Sequence, residues 1–178
     1  RLIAFVRGEA DFDASGKVIS LHGTVQDITE RKRTEIALQH AAEEWRKTFD
    51  SITDMISIHD KDNRLTRVNK AFASAFNTIP EKLIGKHCYE LVHNTDKPPV
   101  YCPHALTLTR KTPGFSEEFE PNLNKWLNIS TSPLFDEKGE VVASVHAVKD
   151  ITELKRAERS RLEAAERHTA ILKTAFDG

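Results

Sequence analysis

The chain is short of cysteine, of glycine-rich loops and of long apolar runs, and each shortage excludes a class of protein. Two cysteines in 178 residues, Cys88 and Cys102, cannot staple a small secreted scaffold and fit a reducing cytosol. No apolar stretch approaches the roughly 18 residues of a membrane span, and the start carries no signal-peptide pattern. The net charge of -1 gives no electrostatic reason to expect nucleic acid or an acidic membrane as partner. No Walker-type glycine loop, no GxSxG and no kinase glycine motif occurs, so the segment is not expected to be a self-contained enzyme. What is present is 39% apolar and 30% charged residues, the balance of a globular core with a solvated, partly helical surface.

An internal repeat organises the chain. Residues 12–35 read FDASGKVISLHGTVQDITERKRTE and residues 135–158 read FDEKGEVVASVHAVKDITELKRAE, at a constant offset of 123 from Phe12 to Phe135 and from Asp27 to Asp150. Each copy reads as a hairpin followed by a helix start. The Asp13–Gly16 and Asp136–Gly139 clusters are turns in which Gly takes positive φ. Val/Ile-rich strands follow, and Asp27 and Asp150, or the Thr two residues on, cap a charged helix. Thr48-Phe49-Asp50-Ser51 then resembles Thr174-Ala175-Phe176-Asp177-Gly178. The interval is 22 residues from Asp27 to Phe49 and 26 from Asp150 to Phe176. The chain is therefore expected to hold the end of one unit (1–30), a helical linker (31–47), a complete unit (44–152), and a linker with the first helix of a third (153–178). Both ends look cut from a longer parent.

The linkers carry heptad-like stripes: Leu38, Ala42, Trp45, Phe49 and Ile52 in the first, Leu162, Ala165, Thr169, Leu172 and Phe176 in the second. A parallel homodimer seam and a helix packed on its own domain both account for them. Residues 1–26 give only two strands, and a lone hairpin is marginal in water. It is expected to be mobile or to pair elsewhere, without a core of its own.

Within the complete unit, residues 55–60 and 64–68 read as a hairpin around Asp60–Asn63. Asn69–Asn77 is helical, with Phe72 and Phe76 at i, i+4. Pro80 opens a further turn that Gly85 stops. Residues 86–93 form a short helix, 94–99 a polar loop, and Cys102–Arg110 a helix started by Pro103. Strands at 115–120, 126–134 and 140–149 complete an α+β domain with helices grouped on one side of an antiparallel sheet.

This order and the endings DITERKR (27–33) and DITELKR (150–156) resemble the PAS domain with its C-terminal PAC motif. The resemblance implies a five-stranded antiparallel sheet in the order 2-1-5-4-3, helices on one face enclosing a small cavity, and flanking linker helices. It also implies a sensory module of a cytoplasmic signalling protein, with room for a membrane anchor elsewhere in the parent. The parent is expected to be a sensor histidine kinase of a two-component phosphorelay, with a diguanylate cyclase as second choice. The expected partners are a second copy, joined through the linker helices as a coiled coil, and neighbouring PAS and output domains. No nucleic acid and no direct membrane contact are expected. His168 sits in a helix, but a new PAS-like start follows within ten residues, so it reads as a surface or seam residue and not as a phosphoacceptor.

The chemistry concentrates at 87–104, HCYELVHNTDKPPVYCPH, where His87, Cys88, His93, Cys102 and His104 fall close together. Cys and neutral His are ligands for zinc, haem iron or iron–sulfur centres, but neither CxxC nor CxxCH is present. PAS relatives often carry a Cys before this loop and Cys-Pro after it. Four readings stay open: ordinary buried thiols, a Cys88–Cys102 redox pair, haem, and zinc or another metal. Haem-binding relatives commonly ligate iron from the helix where His104 lies, so His104 leads, with His93 or a Cys behind it. No cofactor is the first expectation and haem the alternative. The ligand-binding candidates are Phe72, Phe76, Tyr89, His104, Trp126 and His146. His146 is undecided: simple alternation of Val141, Ala143, Val145 and Ala147 puts it in water, whereas analogy with light-sensing relatives turns His146 and Val148 inward. The flavin-adduct motif is missing. Asp150, Ile151 and Thr152 are expected to relay the signal. A different-class alternative is a dimerisation spacer whose cavity is filled by Phe72, Phe76, Leu83, Tyr89, Leu91, Phe115 and Trp126.

Overall fold

The computed structural model describes residues 2–176, with side chains described as far as His168. The chain divides into two compact units, residues 1–49 and 50–178.

In the first unit β1 (Ala4–Phe12) pairs antiparallel with β2 (Val18–Asp27), and α1 (Thr29–Ser51) follows. Neither strand has a buried residue. The hairpin thus has no core of its own, as its isolation in the sequence predicts. On α1 the stripe residues Leu38, Ala42 and Trp45 are exposed, and Trp45 stacks on Phe49 at 4.8 Å.

The second unit carries a five-stranded sheet in the order β4-β3-β7-β6-β5. Its strands are β3 (Met55–Asp60), β4 (Leu65–Val68), β5 (Gly114–Glu120), β6 (Lys125–Phe135) and β7 (Val141–Asp150). Counted within the unit this is 2-1-5-4-3, the order the resemblance implies. Between β4 and β5 run α2 (Lys70–Ala75), a 3-10 turn at Pro80–Lys82, α3 (Cys88–His93) and α4 (Pro103–Arg110); α5 (Thr152–Phe176) leaves from β7. Leu65, Val68, Phe72, Ala73, Leu83 and Leu127 form the centre of the core.

The repeat is atomic as well as textual. At both hairpin tips an Asp Oδ1 accepts two backbone amides: Ser15 and Lys17 on Asp13, Lys138 and Glu140 on Asp136. Gly16 and Gly139 take φ of +82° and +77°, where a Cβ would be strained. At the far end Asp27 and Asp150 accept the amide of the Thr that opens each helix, at 2.8 and 3.0 Å. Those Thr hydroxyls in turn accept the amides of Ile3 and Trp126, residues that are themselves 123 apart. Asp60 builds a third such tip, accepting the amides of Asp62 and Arg64, with Asn63 at φ +63° in the glycine position.

Two close approaches fix the helices over the sheet. A Cβ on Gly114 would fall 2.9 Å from Thr131 Oγ1 and 3.2 Å from Thr107 Oγ1, so the bare backbone there lets α4 settle on β5 and β6. The fully buried Asn69 caps α2. Its Oδ1 accepts the amides of Phe72 (2.9 Å) and Ile56 (3.0 Å), and its Nδ2 donates to the carbonyls of Ile52 and Asp54. One side chain therefore ties the helix start, strand β3 and the approach to β3 together. Removing it leaves two backbone amides and two carbonyls in a largely buried setting without their partner. Asn69→Ala is expected to lower stability by about 2–4 kcal/mol, read as a lower urea midpoint with an unchanged m-value; a loss under about 0.5 kcal/mol, the surface-substitution range, would contradict this role.

Candidate functional site

The inward face of the sheet is unusually polar. Alternation along β3 sends Met55, Ser57 and His59 inward, and along β7 Ser144, His146 and Val148. The register pairs Ser57 with His146 and His59 with Ser144. Helix α4 adds His104 from above. The three imidazoles meet: His59 stacks on His146 at 3.9 Å and 8°, and the His104 ring lies 5.4 and 5.5 Å from the other two. Exposure is only 3% for His59, 1% for His104 and 8% for His146.

Serine hydroxyls orient the rings. Ser57 Oγ lies 2.7 Å from His59 Nε2, while Ser144 Oγ lies 2.6 Å from His104 Nδ1 and 3.0 Å from His146 Nε2. His59 Nδ1 and His104 Nε2 are buried without a hydrogen-bond partner; the backbone of Asp60 is near enough to pull His104 upward but does not reach bonding geometry. Burial holds all three rings neutral. It puts His59 well below its usual range, helped by charge on His146 and His104, lowers His104, and takes His146 to about 3.

Beside the cluster lies a cavity of about 60 Å³. Ser57, His59, His93, Glu118 and His146 form its polar wall, Phe72, Phe76 and Ile129 part of its apolar wall, and both Cys88 and Cys102 border it. On that measure it takes about four waters or a ligand of a few heavy atoms. A haem does not fit: even drug-sized ligands occupy pockets of about 300 Å³ or more. Cys88 and Cys102 are free and buried thiols. Burial, with Cys102 alongside, pushes Cys88 up to about 12, so at neutral pH it is a thiol and a poor nucleophile.

Several expected site residues lie elsewhere. Trp126 precedes inward-facing Leu127 by one residue, so the pleat sends it to the opposite sheet face, opposite Phe119 and under Lys155. Phe115 lies on that same outer face, 79% exposed, and cannot fill the cavity. Tyr89 packs at the core edge and stacks on His87, away from the cavity wall. Leu83 and Leu91 belong to the core, fully and partly buried. Of the 87–104 cluster, Cys88, His93 and Cys102 line the cavity, whereas His87 does not. His87 Nδ1 sits 3.1 Å from the Asp62 carbonyl, and His93 Nδ1 sits 2.5 Å from Glu120 Oε2 on the cavity rim. Of its histidines only His104 joins the triad. His146 turns inward, resolving the alternation in favour of the Ser144/His146/Val148 set. His168 is exposed, and the side chains of Thr169, Leu172 and Phe176, like Asp177 and Gly178, lie outside the described residues.

Sequence reading missed His59 and its serines. The signal was the Met55-Ser57-His59 alternation on a strand that the 2-1-5-4-3 order places beside β7. Register alone then brings His59 against Ser144.

The buried imidazoles make stability depend on pH. Their folded pKa values lie below the unfolded 6.5, so the unfolded chain binds protons that the native protein refuses. Stability is full above about pH 6.5 and lost as pH falls towards the folded values, at up to about 1.4 kcal/mol per pH unit for each group. The urea midpoint is expected to fall between pH 7.5 and pH 5, before carboxylates titrate, and His146→Gln is expected to flatten the slope. A midpoint unchanged across that interval would remove the neutral triad.

Comparison with known proteins adds an independent line. The chain is 28% identical over 159 residues to the two-component sensor PprA of Pseudomonas aeruginosa, covering 86% of this chain and 17% of that protein; it thus spans about a sixth of that relative's length. Among solved structures it is similar to the PAS domain of BvgS from Bordetella pertussis, with 21% identity and a TM-score of 0.51. That match covers 72% of this chain and 98% of the other. A PAS domain from Colwellia psychrerythraea gives 18% identity and a TM-score of 0.53, covering 64% and 98%. No helix among the described residues is long and apolar enough to cross a membrane. The family model described as PAS fold matches residues 49–156, more than half of the chain, and with the strand order, the covered sheet face and the cavity in place, the chain belongs to the PAS family.

Proposed function

We propose that this chain is a sensory relay segment of a signal-transduction protein, in which the state of the β3–β7 cavity sets the arrangement of helix α5. The observation that carries this is the shared strand. His146 and Val148 line the cavity, and two residues beyond Val148 the same strand ends at Asp150-Ile151-Thr152, where α5 begins. That junction is tightly bonded. Ile151 N donates to the Trp126 carbonyl, Trp126 N to Thr152 Oγ1, and Lys125 pairs with Asp150 at 2.7 Å. Against the desolvation that would raise it, the bonds from Lys125 and Thr152 hold the Asp150 carboxyl down to about 2. One turn into α5, Lys155 pairs with Glu117 on β5 at 2.8 Å and lies over Trp126. A shift of β7 or β6 therefore reaches the first turn of α5 through hydrogen bonds and ion pairs rather than through a flexible link.

The parent is a sensor histidine kinase on this reading, supported by the two-component relative, with a diguanylate cyclase as the alternative output. The exposed stripes, Leu38, Ala42 and Trp45 on α1 and Leu162 and Ala165 on α5, are the faces offered to a second copy. Neighbouring PAS units and the output domain are the remaining partners, in the cytoplasm. The small cavity favours one second reading, a ligand-free dimerisation spacer.

The two readings part when the cavity is filled from within. Ile129→Phe places extra carbons in the cavity wall at a cost of about 1–3 kcal/mol. With single cysteines at 162 or 165 as crosslinking reporters, the relay predicts that Ile129→Phe changes the rate or the pattern of intersubunit disulfides by several-fold. Identical crosslinking in the filled and unfilled proteins would leave the spacer.

A further inference from the structure

We propose that His59, His104 and His146 bind one divalent first-row transition-metal ion, with the adjoining cavity supplying the open coordination position. The three offer ligand nitrogens that all lie within 4.8 Å of one another, and all three residues are buried. In the same cluster two ring nitrogens, His59 Nδ1 and His104 Nε2, are buried and have no hydrogen-bond partner. A buried ring nitrogen without a partner is costly. Two of them in one cluster of imidazoles call for a shared acceptor of lone pairs, and a metal ion is one.

The surroundings have the features of a ligand shell. A ligating His is normally held by a hydrogen bond at its other nitrogen, which fixes the tautomer and aims the ring. Ser57 does this for His59, and Ser144 does it for His104 and His146 together. The rings come from three elements, β3, α4 and β7, so a bound ion would tie the helix layer to the sheet. Tetrahedral coordination at 2.0–2.1 Å puts ligand nitrogens about 3.4 Å apart, against separations of up to 4.8 Å here, so the rings must draw together by up to about 1.4 Å. His59 and His146, now stacked, must also turn until their lone pairs converge. Three imidazoles and no carboxylate ligand select Zn²⁺, Fe²⁺, Co²⁺, Ni²⁺ or Cu²⁺ over Mg²⁺ and Ca²⁺, which take oxygen. The cavity wall formed by His59 and His146 leaves the fourth position open to water or a small exogenous ligand, as in three-ligand zinc sites.

The site gives the sensory reading its ligand class and rests on that reading only for its role; binding itself is read without reference to α5. Tag-free, chelator-treated protein of the full 178 residues is titrated with Co²⁺. One equivalent is expected to bind with visible d–d absorption of a four-coordinate nitrogen-ligated ion, Zn²⁺ is expected to bleach it, and the unfolding temperature is expected to rise with metal concentration. Single His59→Gln, His104→Gln and His146→Gln variants, each checked for a native circular dichroism spectrum, are expected to lose at least about 100-fold in affinity, and Ser144→Ala about 10–100-fold. His87→Gln, at a residue that does not line the cavity, should bind as the parent does. Absence of a 1:1 visible complex, or a complex that survives His59→Gln and His104→Gln, overturns the proposal. A variant that fails to fold leaves the decision to Ser144→Ala and to the parent titration. Metal binding without any change in α5 crosslinking would remove the relay and leave the site standing; crosslinking that responds to Ile129→Phe without metal binding would do the reverse.

Discussion

The register of β3 against β7 is the constraint on which the rest of this domain depends. A strand repeats every two residues, so a slip of one residue reverses which side chains face the core. With Ser57 opposite His146 and His59 opposite Ser144, four polar side chains enter the interior as two cross-strand pairs. A one-residue slip of β3 would turn Ile56 and Ile58 inward in place of Ser57 and His59, an apolar pair that hydrophobic burial alone would choose. The observed register is held elsewhere: by Asn69, which binds the Ile56 amide beside β3, and by the Asp60 tip that closes β3 onto β4. Fold-wide bonding thus forces inward a cluster that local hydrophobicity would expel.

That cluster costs stability unless its polar atoms are bonded. Here the bonding is partial: serines satisfy one nitrogen of each ring and leave His59 Nδ1 and His104 Nε2 open. Elsewhere several buried polar groups are paired, although Asn63 Oδ1 and Ser116 Oγ are also buried without a partner. Thr107 and Thr131 bond each other at 2.5 Å, and Glu120 takes His93 on one oxygen and the Asn122 amide on the other. The two open ring nitrogens belong to one cluster, beside the cavity that His59 and His146 line.

Most of the fold was legible in the sequence because its signals are local. Strand alternation, the Asp-x-x-Gly tips, Pro103 at the start of α4 and the twice-written Asp-Ile-Thr each act within a few residues, and the elements fall within a residue or two of where these signals place them. The site was legible only in part, because it is assembled across the sheet. The 87–104 segment drew attention through sequence proximity, yet α3 and its loop carry His87 and His93 to separate partners, and only His104 reaches the triad. His59, 45 residues before His104 in the chain, carried no local mark. Trp126 and Phe115 look like pocket residues by composition, but parity against Leu127 sets Trp126 on the outer face, and Phe115 sits there with it. Pleat parity needs a register, and a register needs the fold.

The repeat separates what is general in this chain from what is particular. The tip, the Asp-to-Thr amide bond and the Thr-to-strand bond are built twice with the same atoms, so the passage from sheet to helix is a fixed mechanical part. The inward-facing residues are not repeated: where β7 carries Ser144 and His146, the first copy has Leu21 and Gly23 at the same offset. On the proposed relay, a common junction with differing inward faces would let successive units respond to different chemistry while driving their helices in the same way. The intervals of 22 and 26 residues from the junction to the next Phe differ by four, and four residues inserted into a heptad pattern locally unwind a coiled coil. If α1 and α5 pair with their copies, the same junction then delivers its motion at a different rotational setting in each linker, so the linker sequence, not the junction, decides what the next unit receives.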